Sequence, residues 1–261
     1  MSVLVSGLTT DRTELCFQKL QWALDDRIRT GISQASAGLD SLDNNVDLEV
    51  FTFTGYGKEF IKSCRCSPDS WLQMSLQLSV FRLTGGLVAT YESGSTRRFR
   101  LGRVDCIRSA HPEALAWCRS MSNDKLDRDD RRRFFDLAMK KQTKVMTDNI
   151  SGRGLDVPLL GLREGVKEAG LWEYQDLFDD ETYNTINHFK LSTSSVPVGL
   201  PASFMGYGAV VPDGYGVSYN PYSDSVIFCV ASFFSCSETN SRTFAAELQR
   251  CLQDMKQLYT K

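Results

Sequence analysis

Three short stretches of the 261-residue chain hold side chains that could do chemistry. The densest is residues 90–109, Thr-Tyr-Glu-Ser-Gly-Ser-Thr-Arg-Arg-Phe-Arg-Leu-Gly-Arg-Val-Asp-Cys-Ile-Arg-Ser. Tyr91, Ser93, Ser95 and Thr96 place four hydroxyls within six residues, and Arg97, Arg98, Arg100, Arg103 and Arg108 follow. Hydroxyls and guanidiniums are costly to bury without partners, so the stretch reads either as a polar surface hairpin or as a site for a polar ligand. The second stretch sets Lys58 four residues before Lys62, with Arg65 and Ser67-Pro68-Asp69 behind them. Ser as cap, Pro in the first turn and Asp at the positive end of the dipole open a helix. Two ammonium groups beside a helix N-terminus suit a phosphate clamp, and a solvated basic loop has the same composition. The third is Ser192-Thr193-Ser194 at the end of a strand. Such hydroxyls are turn residues, or donors to an oxyanion that forms only in a transition state.

Composition narrows the classes. Net charge is −2, so the arginine run is a local feature, better suited to internal ion pairs and an anion site than to a nucleic-acid face. No run of eighteen apolar residues is present, and the first residues lack the basic start of a signal peptide. The eight cysteines are scattered, at 16, 64, 66, 106, 118, 229, 236 and 251, and Cys64-x-Cys66 alone is not a zinc site. This usage implies a reduced, cytoplasmic protein without a metal. Cys106 and Cys229 read as small buried hydrophobes.

The elements that must position these residues follow from periodicity. Residues 10–29 have helical spacing, and residues 30–46, rich in Gly, Ser, Asn and Asp, read as a loop, with or without a further short helical turn. Residues 48–54 alternate as a strand, and a short basic loop leads from Gly55 to the Ser67-Pro68-Asp69 helix. That helix is apolar around much of its circumference and is expected to be buried on several sides. Helices are expected over 111–121, 131–149, 159–171 and 180–188, and a strand over 190–194. Pro212-Asp213-Gly214 predicts a hairpin between residues 209–211 and 216–219. Residues 224–233 read as a central strand. The apolar stripe Phe244, Leu248, Leu252, Met255, Tyr259 predicts an amphipathic final helix whose stripe is core. The fold class is α/β, a mixed sheet with covering helices, mostly from the C-terminal part.

The pattern Thr90-Tyr-Glu-Ser-x-Ser-x-Arg-x-Phe-x-x-Gly-Arg-x-Asp-x-Ile-Arg-Ser109 resembles the signature of the choline/carnitine acyltransferases, which move an acyl group between coenzyme A and a small quaternary-ammonium alcohol. The resemblance runs from about residue 48 to 258 and implies one half, the C-terminal half, of the two-domain coenzyme A-dependent (chloramphenicol acetyltransferase-like) fold. It divides the chain into a lead-in, 1–47, and a catalytic-type domain, 48–261. It implies that Lys58 and Lys62 meet the 3′-phosphate of acetyl-CoA, that Asp69 lies by its adenine and pantetheine, and that Ser95 joins them. It makes Ser194 the oxyanion donor. The family usually continues with Gln; here Ser195 stands in that coenzyme A position. Tyr91, Ser93 and Tyr207 are the implied choline contacts, since a quaternary ammonium offers no N–H and is held by aromatic faces. In carnitine enzymes a Thr stands at Val104 and an Arg at Val157, and valine cannot neutralise a carboxylate. The site therefore resembles the choline side of the family, with acetyl-CoA as co-substrate and no permanently bound cofactor.

The reaction needs a base for the alcohol proton. His111 and His188, the two histidines, lack the context of the family's catalytic histidine. The resemblance implies that this base comes from an N-terminal acyltransferase half that this chain lacks. Alone the chain is expected to be inactive, and an apolar patch is expected where that half would sit. Two further readings stay open: a truncated or pseudoenzyme module that binds coenzyme A or a partner, and a carnitine-type acyltransferase.

Overall fold

The computed structural model describes residues 20–195 and 203–260. The chain divides into two compact units between Asn44 and Asn45. In the first, Asp25 caps helix α1 (Asp26–Asp43), accepting from Ile28 N at 2.8 Å. The expected helix over 10–29 does not form as read: residues 20–25 are not helical, and residues 10–19 lie outside the described residues. The helix occupies the expected loop instead. Ile28, Ile32, Ala35, Leu39 and Leu42 recur at steps of three and four, a period that survives the helix-weakening Gly31 and Gly38.

The second unit holds a six-stranded sheet of β1 (Val46–Phe53), β2 (Thr90–Ser95), β3 (Val104–Ile107), β4 (Leu191–Ser194), β5 (Tyr215–Pro221) and β6 (Val226–Phe233). The spatial order is β1-β6-β5-β4-β2-β3. β4 pairs parallel with β2 and β5, and the other pairs are antiparallel. The sheet is mixed, as expected, but half its strands precede residue 110. The polar 90–109 stretch is a hairpin, with Thr90, Glu92, Asp105, Cys106 and Ile107 buried in it.

Two local expectations are corrected. Residues 209–211 form no strand; Gly214 N closes a turn on Val211 O at 3.2 Å, and Tyr215 N then bonds Lys190 O at 2.7 Å to enter β5. The Pro-Asp-Gly signal marks a strand entry, while the β5–β6 hairpin turns at Tyr222 and Ser225, joined at 2.8 Å. The basic loop after β1 is partly a helix, α2 (Lys58–Ser63). It stops because Arg65 adopts φ 59°, with Arg65 N bonding Lys62 O and Cys66 N bonding Ile61 O. This pair of bonds is the usual helix-ending motif, here without glycine.

Helix α3 (Pro68–Thr84) starts at its Ser67 cap, and every residue from Ser70 to Val80 is buried. It packs against α4 (Pro112–Met121), α5 (Arg128–Asp148) and the final helix. A π-turn (Asn149–Arg153) follows α5, and then come α6 (Asp156–Ala169), α7 (Asp176–Asp179), α8 (Glu181–Asn187) and α9 (Ser241–Gln257). The core centres on Trp71, edge-on to Phe135 at 5.2 Å, with its indole N–H on Tyr56 Oη at 3.0 Å. Phe244, Leu248, Leu252 and Met255 of α9 are buried. Cys106 and Cys229 are buried, and the seven described cysteines are free. Among the described residues no helix is long and apolar enough to cross a membrane, and no cluster of three His, Cys, Asp or Glu could hold a metal.

Candidate active site

Strand register decides which hydroxyls share a face. One row crosses five strands as Leu48, Ala231, Gly216, Ser192 and Tyr91. The next crosses four as Val50, Cys229, Ser218 and Ser194. Ser93 opposes Cys106 and Ser95 opposes Val104 in the β2–β3 hairpin. Side chains alternate along a strand, so Tyr91, Ser93, Ser95, Val104 and Ser194 all project from one face. The opposite face carries Glu92, Thr193, Val217 and Tyr219, which are buried. Leu48 and Val50 stand exposed on the site's face.

Direction decides which end. β2, β4 and β5 run the same way, and β1 is antiparallel to β6, which is antiparallel to β5. Ser95, Ser194 and Ser195 therefore lie at the same end of the sheet as the exit of β1, which leads to α2 and to the N-terminus of α3. The carboxyl ends of parallel strands are where ligands bind in open α/β sheets. Lys58 is half-buried, its backbone N on Tyr222 O at 2.8 Å. Lys62 is exposed and paired with Glu59 at 3.0 Å. β1 and β2 are four strand spacings apart, about 19 Å, so the lysines and the serines of β2 are brought to one end but not into contact. Only an extended ligand could span them.

Asp69 turns inward, against the expectation of a ligand-facing carboxylate. Its Oδ1 accepts from Tyr219 Oη at 2.7 Å. Sequence reasoning missed the polar cluster behind this: Gln73 Nε2 donates to Thr193 Oγ1 at 2.9 Å and to Tyr219 Oη at 2.8 Å. Thr193 Oγ1 then donates to Tyr91 O at 2.8 Å. The available signal was the glutamines and serines inside the otherwise apolar α3.

Beside Tyr91 lies a cavity of about 730 Å³, also lined by Val104, Arg108, Asp156, Val157 and Phe189. Tyr91 stands edge-on to Phe189 at 5.4 Å, and its phenol oxygen accepts from Ser93 Oγ at 3.3 Å. Tyr207 approaches Tyr91 from another segment and does not line the cavity. Its phenol donates to Val217 O at 3.3 Å, adjoins Ser192 and Tyr91, and is pushed up in pKa by burial. Gly206 lets that segment lie flat on β6, since a Cβ there would sit 2.5 Å from Cys229 Sγ.

The cavity's cations are already engaged. Arg108 grips Asp156 with Nε at 3.1 Å and with Nη2, bonds Asn187 Oδ1 at 2.9 Å, and stacks on Phe189 at 5.1 Å. Arg153 Nη2 lies 2.6 Å from Asp148. Val104 and Val157 are exposed to the cavity without a charge of their own. Asp105 Oδ1 accepts from Val157 N at 3.3 Å, so it positions the start of α6. The Cys106 thiol is pushed up to about 12, by burial first, which keeps it protonated and unfit as a nucleophile.

Neither histidine meets Ser194. His111 is buried as the cap of α4, its Nδ1 accepting from Ala114 N at 3.1 Å, and burial lowers its pKa. His188 Nε2 is 2.6 Å from Asp213 at the entry of β4. It precedes β4, and Ser194 stands at the far end of that strand, three extended residues or about 10 Å beyond Leu191.

The family model for choline/carnitine O-acyltransferase matches residues 6–250. A choline O-acetyltransferase from Danio rerio is 46% identical over 94% of this chain and 38% of its own length. One from Drosophila melanogaster is 42% identical over 92% of this chain and 36% of its own length. The chain thus spans well under half of these relatives. A probable dihydrolipoamide acetyltransferase from Listeria monocytogenes superposes with a TM-score of 0.42 at 7% identity, covering 93% of this chain and 97% of that one. A signature read on one hairpin, a site face assembled by strand register and a family match over most of the sequence converge: the chain belongs to the choline/carnitine O-acyltransferase family.

Proposed function

We propose that this chain is the C-terminal part of a choline O-acetyltransferase, which moves the acetyl group of acetyl-CoA onto the hydroxyl of choline in the cytoplasm. The observation that carries the reading is the row of hydroxyls beside a cavity with no uncommitted cation: Ser93, Ser95 and Ser194 on one sheet face, and Arg108 and Arg153 bound to carboxylates. In this reading Lys58 and Lys62 take the 3′-phosphate, while Ser95 and Ser195 line the coenzyme's course. Ser194 donates to the tetrahedral oxyanion, whose charge exists only on the way to product. The faces of Tyr91 and Tyr207 hold the trimethylammonium group, Ser93 lies beside it, and Val104 and Val157 give a carboxylate-bearing alcohol no counter-charge.

The base is a histidine from an N-terminal acyltransferase half, since His111 and His188 are committed far from Ser194. That half also covers the exposed apolar side chains of the site face. The test is acetyl transfer to choline by the chain alone and mixed with the N-terminal half of a relative. Activity only on mixing supports the reading. Activity of the chain alone overturns the missing base. No transfer in either case, with coenzyme A still bound, leaves a binding module.

A further inference from the structure

Four of the five arginines in residues 90–109 take no part in the site. Arg108 holds Asp156. Arg97, Arg98, Arg100 and Arg103 stand exposed in the turn between β2 and β3, and they make no ion pair or side-chain hydrogen bond among the described residues. We propose that this turn is a peripheral membrane-docking element, in which the arginines bind the phosphates of an anionic phospholipid bilayer and Leu101 at the tip enters the boundary of the acyl chains. Docking is independent of the acyl-transfer reading.

The charge is uncompensated by construction. From Ser93 to Val104 the chain carries these four arginines and no carboxylate. Glu92 and Asp105, the acids on either side, are buried and bonded inward, Glu92 to Gln142 and Ser109 and Asp105 to Val157 N. The turn is nevertheless fixed. Thr96 N bonds Arg103 O, Phe99 N bonds Thr96 O and Gly102 N bonds Phe99 O, each at 3.0 Å, so two turns follow one another. Phe99 leans on the π-turn after α5, where a Cβ on Gly152 would lie 3.2 Å from its ring. Leu101 has no such seat. It is 92% exposed at φ 62°, a left-handed conformation that leucine rarely adopts. An apolar side chain is thus held clear of the protein, in a strained conformation, among four free cations.

Phosphate suits guanidinium, which meets it with two parallel hydrogen bonds. Nucleic acids and acidic peptides also supply anions, but they give Leu101 no apolar place to go. A bilayer supplies both, phosphates at the surface and acyl chains just beneath, and interfacial anchors use that combination. The chain's net charge of −2 gives it no general attraction to an anionic surface. The pull is therefore local to this turn. Because the turn leaves β2 directly after Ser95, a docked chain turns that end of the sheet toward the bilayer.

Co-sedimentation of the chain with phosphatidylcholine vesicles, with and without phosphatidylserine, tests the proposal. Binding is expected only with the anionic lipid and should weaken as salt rises. An arginine near such a surface contributes about fivefold, so Arg97→Gln/Arg98→Gln/Arg100→Gln should lower the affinity by about 10²-fold. Equal binding to both vesicles, or an unchanged affinity in the triple variant, overturns it. Leu101→Gly separates insertion from folding. Glycine suits a positive φ, so this variant should melt no lower than the parent chain and yet bind anionic vesicles more weakly. Full vesicle affinity in Leu101→Gly refutes the insertion.

Two other occupants of the turn have their own signatures. Displacement of the chain from vesicles by saturating coenzyme A would make the arginines part of the coenzyme site. Loss of vesicle binding on adding the N-terminal half of a relative would place the turn in that interface. Either result overturns the proposal, and binding that survives both additions supports it.

Discussion

Replacing Gly57 with alanine should separate coenzyme A binding from every other property of the site. Gly57 is the residue before α2, at φ −130°, an ordinary extended conformation. Its importance is spatial. A Cβ there would lie 2.5 Å from Asp224 N and from Tyr222 O, against the backbone of the β5–β6 turn. Backbone cannot rotate away as a side chain would, so the entry to α2 must move. That breaks the bonds from Lys58 N to Tyr222 O at 2.8 Å and from Glu59 N to Ser223 O at 3.1 Å. Two backbone bonds at about 1 kcal/mol each, with about 1 kcal/mol of overpacking, give a loss of roughly 3 kcal/mol. For a domain of this size that is a fall in Tm of about 6–12 °C. Lys58 and Lys62 move with the helix, whereas Tyr91, Val104 and Ser194 are held by strands on the other side of β5. Calorimetric titration with coenzyme A should show weaker binding, and the reconstituted enzyme a raised KM for acetyl-CoA with the KM for choline unchanged. A Gly57→Ala protein with wild-type Tm and coenzyme affinity would refute both the steric argument and the placement of the phosphate at α2.

Other outcomes follow from the same coordinates. Val157→Arg places a cation in the cavity beside Val104, and should gain carnitine turnover while raising the KM for choline in a two-substrate competition assay. Ser194→Ala should lower kcat of the reconstituted enzyme by about 10²–10³ with little change in either KM, if its hydroxyl meets only the oxyanion. Trp71→Ala removes a fully buried indole with its bond to Tyr56, at a cost of about 3–5 kcal/mol in denaturant melts. Asp213 is held below the usual carboxylate range by Lys190 first and His188 second. Its contribution to stability is therefore present above about pH 4 and lost as pH falls below it, and Asp213→Asn should flatten that acid limb.

Much of this fold was legible because its strongest signals are local. Ser67-Pro68-Asp69 names its helix start without help from the rest of the chain, and the α9 stripe repeats through four buried residues. Where the reading failed, composition was weighed against period or a turn was taken for a pairing. Gly and Ser hid the apolar repeat of α1. The turn at Asp213 was real, but β5 pairs with the strand that follows it, β6, and with β4 some twenty residues before it, not with residues 209–211. The site residues divide the same way. Tyr91, Ser93, Ser95 and Val104 lie in one hairpin, so alternation alone puts them on one face. Ser194, nearly a hundred residues later, joins them only through the parallel pairing of β4 with β2, which no spacing in the sequence encodes. The Arg108–Asp156 pair and the Gln73 cluster were invisible for the same reason.

The Ser192-Thr193-Ser194 strand explains why small hydroxyls suit both sides of it. Ser192 and Ser194 face the site, while Thr193 points inward to Gln73 and bonds the backbone of Tyr91. β4 carries four residues and is the only link in register between the β2–β3 hairpin and the rest of the sheet among the described residues. A bulky apolar residue at position 193 would leave Gln73 Nε2 one acceptor short, with only Tyr219 to receive it, and would free the Tyr91 carbonyl. A charged one would bring an unpaired ion into this buried cluster. A neutral hydroxyl that both donates and accepts satisfies Gln73 and Tyr91 at once. The inner network and the outer site are therefore joined at one side chain, and the spacing between Ser194 and Tyr91 depends on a bond that neither of them makes with its own hydroxyl.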